Sequence, residues 1–172
     1  MKLFSIKNRQ TENERMIAVE RPRLLQYACY RLGNMTDAED VVQDTLASLH
    51  QRMQEDDLSI SNLSAYLYRS LSNRCVSYQR ENNRLHLVPL DSQTDPEDTE
   101  SDDFEQEYRR ICQLLAEIPD EQAEVIRLRY YGDKTFKEIA QILDEPITTI
   151  KSRFVYGLEK IKRGMRALSD NV

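Results

Sequence analysis

Glycine and proline are scarce in this chain, four and five among 172 residues. With so few turn-formers and no sustained apolar–polar alternation, a β-rich architecture is excluded and an all-α fold is expected. No apolar run approaches the roughly 20 residues that a membrane-spanning helix needs, so no membrane insertion is expected. The first residues, MKLFSIKNRQTENER, hold no hydrophobic signal core and no small-residue cleavage site, which points to the cytoplasm. The three cysteines, Cys29, Cys75 and Cys112, are odd in number and far apart, and they form no C-x-x-C pair. That usage fits a reducing compartment. Of the two histidines, His50 and His86, neither has a partner at ligand spacing, so no metal site is expected. There is no phosphate loop, nucleophile elbow or paired-carboxylate constellation, so neither catalysis nor a cofactor is expected.

What is present is charge, unevenly placed. The net charge is −6, yet nine acidic residues and no basic one lie between Asp91 and Glu107. Without those nine acids the remainder carries +3. The segment HLVPLDSQTDPEDTESDD, residues 86–103, has two prolines and almost no apolar residue after Leu90, the composition of a disordered linker. It divides the chain into two small helical domains. The division places an N-terminal helical domain at 1–87, with its folded part from about Arg15 to Leu85. A linker follows at 88–104, and a C-terminal helix-turn-helix domain at 105–172, folded from about Phe104 to Leu168. No internal repeat relates the two.

The C-terminal stretch TFKEIAQILDEPITTIKSRFVYGLEKIKRGMR, from Thr135 to Arg166, carries the sharpest local signals. Thr135 and Glu138 form a capping box that starts one helix. Its apolar side is Ile139, Ala140, Ile142 and Leu143. Proline disfavours helical geometry at the residue before it, so this helix ends by Pro146. Proline suits the first turn of the next helix, where its missing N–H costs nothing. In that second helix Ile147, Ile150, Phe154, Leu158 and Ile161 recur at helical spacing as a buried face. The opposite face carries Thr148, Ser152 and Tyr156, flanked by Thr149, Lys151 and Arg153. Short hydroxyls fit base edges and long cations fit phosphates. From Arg127 to Arg166 ten Lys/Arg stand against five Asp/Glu. An ordinary helix pair with a solvated basic face is the plainer reading; cap, tight turn and basic second helix together favour DNA. Upstream, Asp120 to Tyr131 reads as a helix ending near Gly132, with Val125, Ile126, Leu128 and Tyr130 as core candidates.

The N-terminal domain reads as three or four helices. Pro22 opens one that runs to a cap at Gly33. Thr36 and Glu39 form a second capping box, opening a helix through about Met53 with Val42, Leu46, Leu49 and Met53 buried. Its outer face carries Asp40, Asp44 and Gln51, with Gln43 on the flank. On spacing alone the acids are most simply solvated charges near a helix N-terminus. From about Ala65 to Leu85, Leu67, Leu71, Cys75 and Tyr78 face inward, with Cys75 a core filler. The other side lines up Tyr66, Arg69, Asn73, Ser77, Arg80 and Arg84. A ring to stack on a base, arginines to follow phosphates and an amide to read an edge suit single-stranded DNA; an exposed arginine-rich helix is the equal alternative.

These pieces, in this order, resemble an extracytoplasmic-function (ECF) sigma factor of bacterial RNA polymerase. DAEDVVQDTLASLHQRM resembles the segment that grips core polymerase, AYLYRSLSNRCVSYQRENNR the segment that melts and reads the minus-ten element. IPDEQAEVIRLRYYGDKTFKEIAQILDEPITTIKSR resembles the domain that reads the minus-thirty-five element. The likeness covers residues 15–166. It implies that Asp40, Gln43 and Asp44 contact core polymerase, whose clamp helices and flap are the expected partners. Promoter DNA and an anti-sigma factor are implied as further partners. It implies that Tyr66 and Asn73 serve the single-stranded minus-ten element, to which the residue pattern adds Arg69, Arg80 and Arg84. Lys151, Ser152 and Arg153 match positions that meet the minus-thirty-five element, to which the exposed helix face adds Thr148, Thr149 and Tyr156. Tyr66 stands where many members have tryptophan, and Val155, Tyr156, Gly157 and Leu158 stand where relatives often carry further arginines. The expected function is a non-enzymatic subunit directing polymerase to promoters. The alternatives are a helix-turn-helix regulator acting without polymerase, or a mimic that sequesters an anti-sigma factor.

Overall fold

A computed structural model describes residues 2–54, 61–85 and 101–169. Among them are seven helices: α1 (Lys2–Leu32), α2 (Met35–Gln54), α3 (Leu63–Leu85), α4 (Ser101–Glu117), α5 (Asp120–Tyr130), α6 (Phe136–Leu143) and α7 (Ile147–Ser169). The first three pack on one another and form one helical domain; the last four form the second. Most of the acidic segment expected over 88–104 lies outside the described residues. From Ser101 the chain is already helical, so the last acids of that run ride on α4.

Pro22 does not open a helix. It sits inside α1, which passes straight through it. The reason is tertiary: Ile17, Glu20, Leu24, Tyr27, Ala28 and Arg31 form one buried stripe at helical spacing across the proline. Packing on both sides holds the turn that the proline weakens. Gly33 ends α1 with φ 74°, its N–H bonded to the Cys29 carbonyl at 2.8 Å. A left-handed residue there favours glycine. The next helix starts at Met35, one residue before the expected Thr36. Asn34 caps it instead, its Oδ1 accepting from the Asp37 N–H at 3.1 Å.

Val42 and Leu49 of α2 are buried, and Leu46 and Met53 pack at the edge of the core. Leu67, Leu71 and Cys75 of α3 are fully buried. Burial pushes the Cys75 thiol up to about 12, as befits a core filler. In the second domain Val125, Ile126 and Leu128 are buried, but Tyr130 is 59% exposed. It is the last residue of α5 and swings outward, while Tyr131 turns in to stack on Tyr30 with ring centroids 3.5 Å apart. Ile147 also departs from expectation at 41% exposed, since the buried stripe of α7 begins one turn later at Ile150.

The two domains pack on each other through a shared apolar core, in which Val125, Leu128 and Ile139 join Tyr27, Tyr68 and Leu71, and buried polar pairs cross the same seam. Arg31 of α1 donates to Asp120 at 2.9 Å through two nitrogens and to Glu124 at 2.5 Å. Tyr27 and Ser72 also donate to Glu124. Lys134 donates to Glu20 at 2.6 Å and lies 4.7 Å from the Tyr68 ring centre. The Tyr68 hydroxyl contacts both Glu20 and the Gly132 carbonyl. Tyr108 donates to the Cys29 carbonyl at 2.7 Å.

Candidate nucleic-acid interface

The helix-turn-helix is built by local signals. Thr135 Oγ1 accepts from the Glu138 N–H at 3.3 Å, and Glu138 Oε2 accepts from the Thr135 N–H at 2.8 Å. The box satisfies two N–H groups that the first turn leaves open. Asp144 ends α6 in the left-handed region at φ 56°. Glu145 N–H bonds back to the Ala140 carbonyl at 3.1 Å, and Pro146 leads into α7 with its carbonyl accepting from Ile150. Ile139, Ile142 and Ile150 lock the two helices together. Phe154 packs edge-on against Phe136, ring centroids 5.1 Å apart. Gly157 is buried where α7 crosses α5; a Cβ there would meet Ile126 Cδ1 at 2.8 Å and Gln122 Cβ at 3.2 Å. A side chain as large as arginine has no room there.

On the outer face of α7, Thr148, Lys151, Ser152 and Tyr156 are exposed, and Thr149 and Arg153 are half-buried. Ser152 donates its hydroxyl proton to the Thr148 carbonyl at 3.0 Å. Arg153 Nη2 lies 3.1 Å from Glu145 Oε1. Val155, exposed to 52%, shares this face.

The stripe expected along α3 is divided. Asn73, Ser77 and Arg80 are exposed, and the Arg84 side chain lies outside the described residues. Tyr66 is half-buried; its hydroxyl accepts from Arg52 at 2.7 Å, and the Arg52 guanidinium lies 5.7 Å from the ring centre. Arg69 turns to the other domain, donating to the Gln141 carbonyl at 2.9 Å and the Ile142 carbonyl at 3.0 Å. The last carbonyls of a helix lack intrahelical partners and carry the negative end of its dipole, so a guanidinium satisfies them well. Sequence spacing could not reveal this, because α6 lies about 70 residues downstream. Asn62 adds a bond to the Gln141 side chain at 3.1 Å. On α2, Asp40, Gln43 and Asp44 are all exposed.

Among the described residues no group of three or more His, Cys, Asp or Glu could hold a metal ion, and no helix is long and apolar enough to cross a membrane.

Residues 16–85 match the family Sigma-70 region 2, and residues 114–163 match Sigma-70, region 4. The chain belongs to the sigma-70 family. The ECF sigma factor RpoE of Cereibacter sphaeroides is 27% identical over 132 residues, covering 76% of this chain and 73% of that protein. SigW of Bacillus subtilis, also an ECF sigma factor, is 26% identical over 154 residues, 81% of this chain and 82% of its own length. SigL of Mycobacterium tuberculosis is 27% identical over 148 residues, 84% of each. This is accordingly an RNA polymerase sigma factor of the ECF type. Two solved structures share its fold. CnrH, in complex with the cytosolic domain of CnrY, aligns over 96% of this chain and 94% of its own with TM-score 0.72 and 20% identity. The sigma factor RpoE of Bartonella quintana, in complex with the anti-sigma factor NepR, aligns over 89% and 96% with TM-score 0.64 and 25% identity. In this sigma factor α1–α3 correspond to region 2 and α5–α7 to region 4.

Proposed function

We propose that this sigma factor docks on core polymerase through Asp40, Gln43 and Asp44 of α2. It reads the minus-thirty-five element through α7 and holds the unpaired minus-ten element along α3. The observation that carries the α7 reading is the open face of Thr148, Lys151, Ser152 and Tyr156 on a helix locked by Ile150 and Phe154. Asp40 and Asp44 lie one helical turn apart, so they present a single acidic patch to a basic partner, here the clamp helices. On α3 the strand meets Asn73 and Arg80 directly, since both are exposed. Arg69 must first leave the α6 carbonyls, and Tyr66 must leave Arg52, before either touches a base or phosphate. Joining two DNA contacts on one polymerase makes two weak interactions act together. The site of action is the cytoplasm, and a regulatory partner of anti-sigma type is supported by the solved complex of RpoE with the anti-sigma factor NepR.

Transcription in vitro with purified core polymerase and genomic DNA tests the reading. Promoter-specific transcripts that require this chain are expected. Operator binding without any change in transcripts would favour a polymerase-independent regulator. An absence of DNA binding with capture of an anti-sigma factor would favour a mimic.

A further inference from the structure

Arg153 looks like a phosphate contact by its place on the flank of α7, but its guanidinium is already engaged. Nη2 lies 3.1 Å from Glu145 Oε1, with the two side chains 27% and 35% exposed. Glu145 is held where it stands: its N–H bonds to the Ala140 carbonyl, Asp144 before it is left-handed, and Pro146 after it fixes the entry to α7. The carboxylate therefore sits beside the first turn of α7, where the helix dipole favours an anion. That is also where a DNA phosphate would approach a recognition helix. Lys151, by contrast, is exposed on the same helix.

We propose that Glu145 is an internal competitor for phosphate: by holding Arg153 it withholds one cation from DNA and sets the affinity of region 4 below what its charge allows. This rests on the reading of α7 as the minus-thirty-five helix. Glu145 is a positioning residue acting through Arg153, and it touches no base. The exchange is open in either direction, because a partly exposed ion pair with a single Nη2–Oε1 contact contributes little on its own and a phosphate oxygen can take the place of the carboxylate oxygen. Removing the carboxylate releases the cation at small structural cost.

The experiment measures binding of holoenzyme, formed from the full chain and core polymerase, to a labelled promoter duplex across a KCl series. Glu145→Gln is expected to bind roughly three- to ten-fold tighter near 0.1 M salt, with a logarithmic salt slope steeper by about 0.9, the value of one added phosphate contact. Arg153→Ala alone is expected to leave the slope where it is, and the double variant to lose the gain. Asp144→Asn is the control: it removes the same charge from the same turn, asparagine tolerates the left-handed backbone, and Arg153 stays held. A gain equal to that of Glu145→Gln in this control, or one that survives in the double variant, would mean simple charge repulsion and would overturn the proposal. So would a wild-type slope that falls by about one in Arg153→Ala, since Arg153 would then already be on the phosphate. If Lys151→Ala, Ser152→Ala and Tyr156→Ala all leave binding untouched, the reading of α7 itself fails, and the proposal with it.

Discussion

Glu124 is 6% exposed and receives four groups: Arg31 at 2.5 Å, Ser72 at 3.0 Å, Arg127 at 3.6 Å and the Tyr27 hydroxyl. Burial would lower the Arg31 pKa, but Glu124, Tyr27 and Asp120 hold its charge and leave it raised. Glu124→Ala strips the carboxylate from between two arginines whose side chains are only 4% and 7% exposed. Breaking a buried pair from one side costs about 3–5 kcal/mol. Asp120 stays bound to Arg31 through both oxygens, so the low end, about 3 kcal/mol, is expected here. For a chain of this size that corresponds to a fall in Tm of about 6–12 °C. The partners belong to different domains, so the same cost also loosens their docking. Thermal unfolding should therefore be paired with small-angle scattering, which registers separation of the domains as a larger radius of gyration. Glu124→Gln, which keeps hydrogen bonds and loses the charge, should fall between. Glu105→Ala breaks the exposed Arg109 pair and should cost about 0.5 kcal/mol or less. A Glu124→Ala protein with a Tm within about 2 °C of wild type and an unchanged radius of gyration would refute the argument that this carboxylate holds the seam.

Asp40→Lys with Asp44→Lys should greatly weaken co-purification with core polymerase while leaving helical circular dichroism intact; undiminished capture of core would sink the α2 assignment. Asn73→Ala or Arg80→Ala should impair transcription from a duplex promoter, with partial rescue on a pre-opened bubble; equal loss on both templates would argue against a role in melting. Partial burial raises the Asp120 pKa, but Arg31 and Arg127 outweigh it, leaving that carboxyl below the ordinary aspartate range. Its contribution is thus present above about pH 4 and fades as pH falls through the lowered value. Acid titration of stability should show Asp120→Asn differing from wild type at neutral pH and converging with it as pH falls through the lowered value; a difference that does not shrink with acidification would contradict the ion-pair explanation.

The sequence by itself determined whatever depends on neighbours three to five residues away. The Thr135–Glu138 box, the stop before Pro146, the cap at Gly33 and the buried stripe of Leu67, Leu71 and Cys75 are local, and each appears in the fold with those residues in those roles. The family motifs were legible for the same reason, since each is one continuous stretch. Only the tertiary structure decided where partners lie far along the chain. Pro22 reads as a helix start until Glu20 and Arg31 are seen to belong to the buried stripe, and both are buried only because Lys134, Asp120 and Glu124 come to meet them. Arg69 and Arg80 look alike along α3 and both are exposed, yet Arg69 reaches across to the last carbonyls of a helix of the other domain. Charged side chains carry no periodic signature that separates an ion pair across a seam from a solvated face. What separates them is the desolvation that comes with the opposing surface, and that surface exists only once the domains have packed.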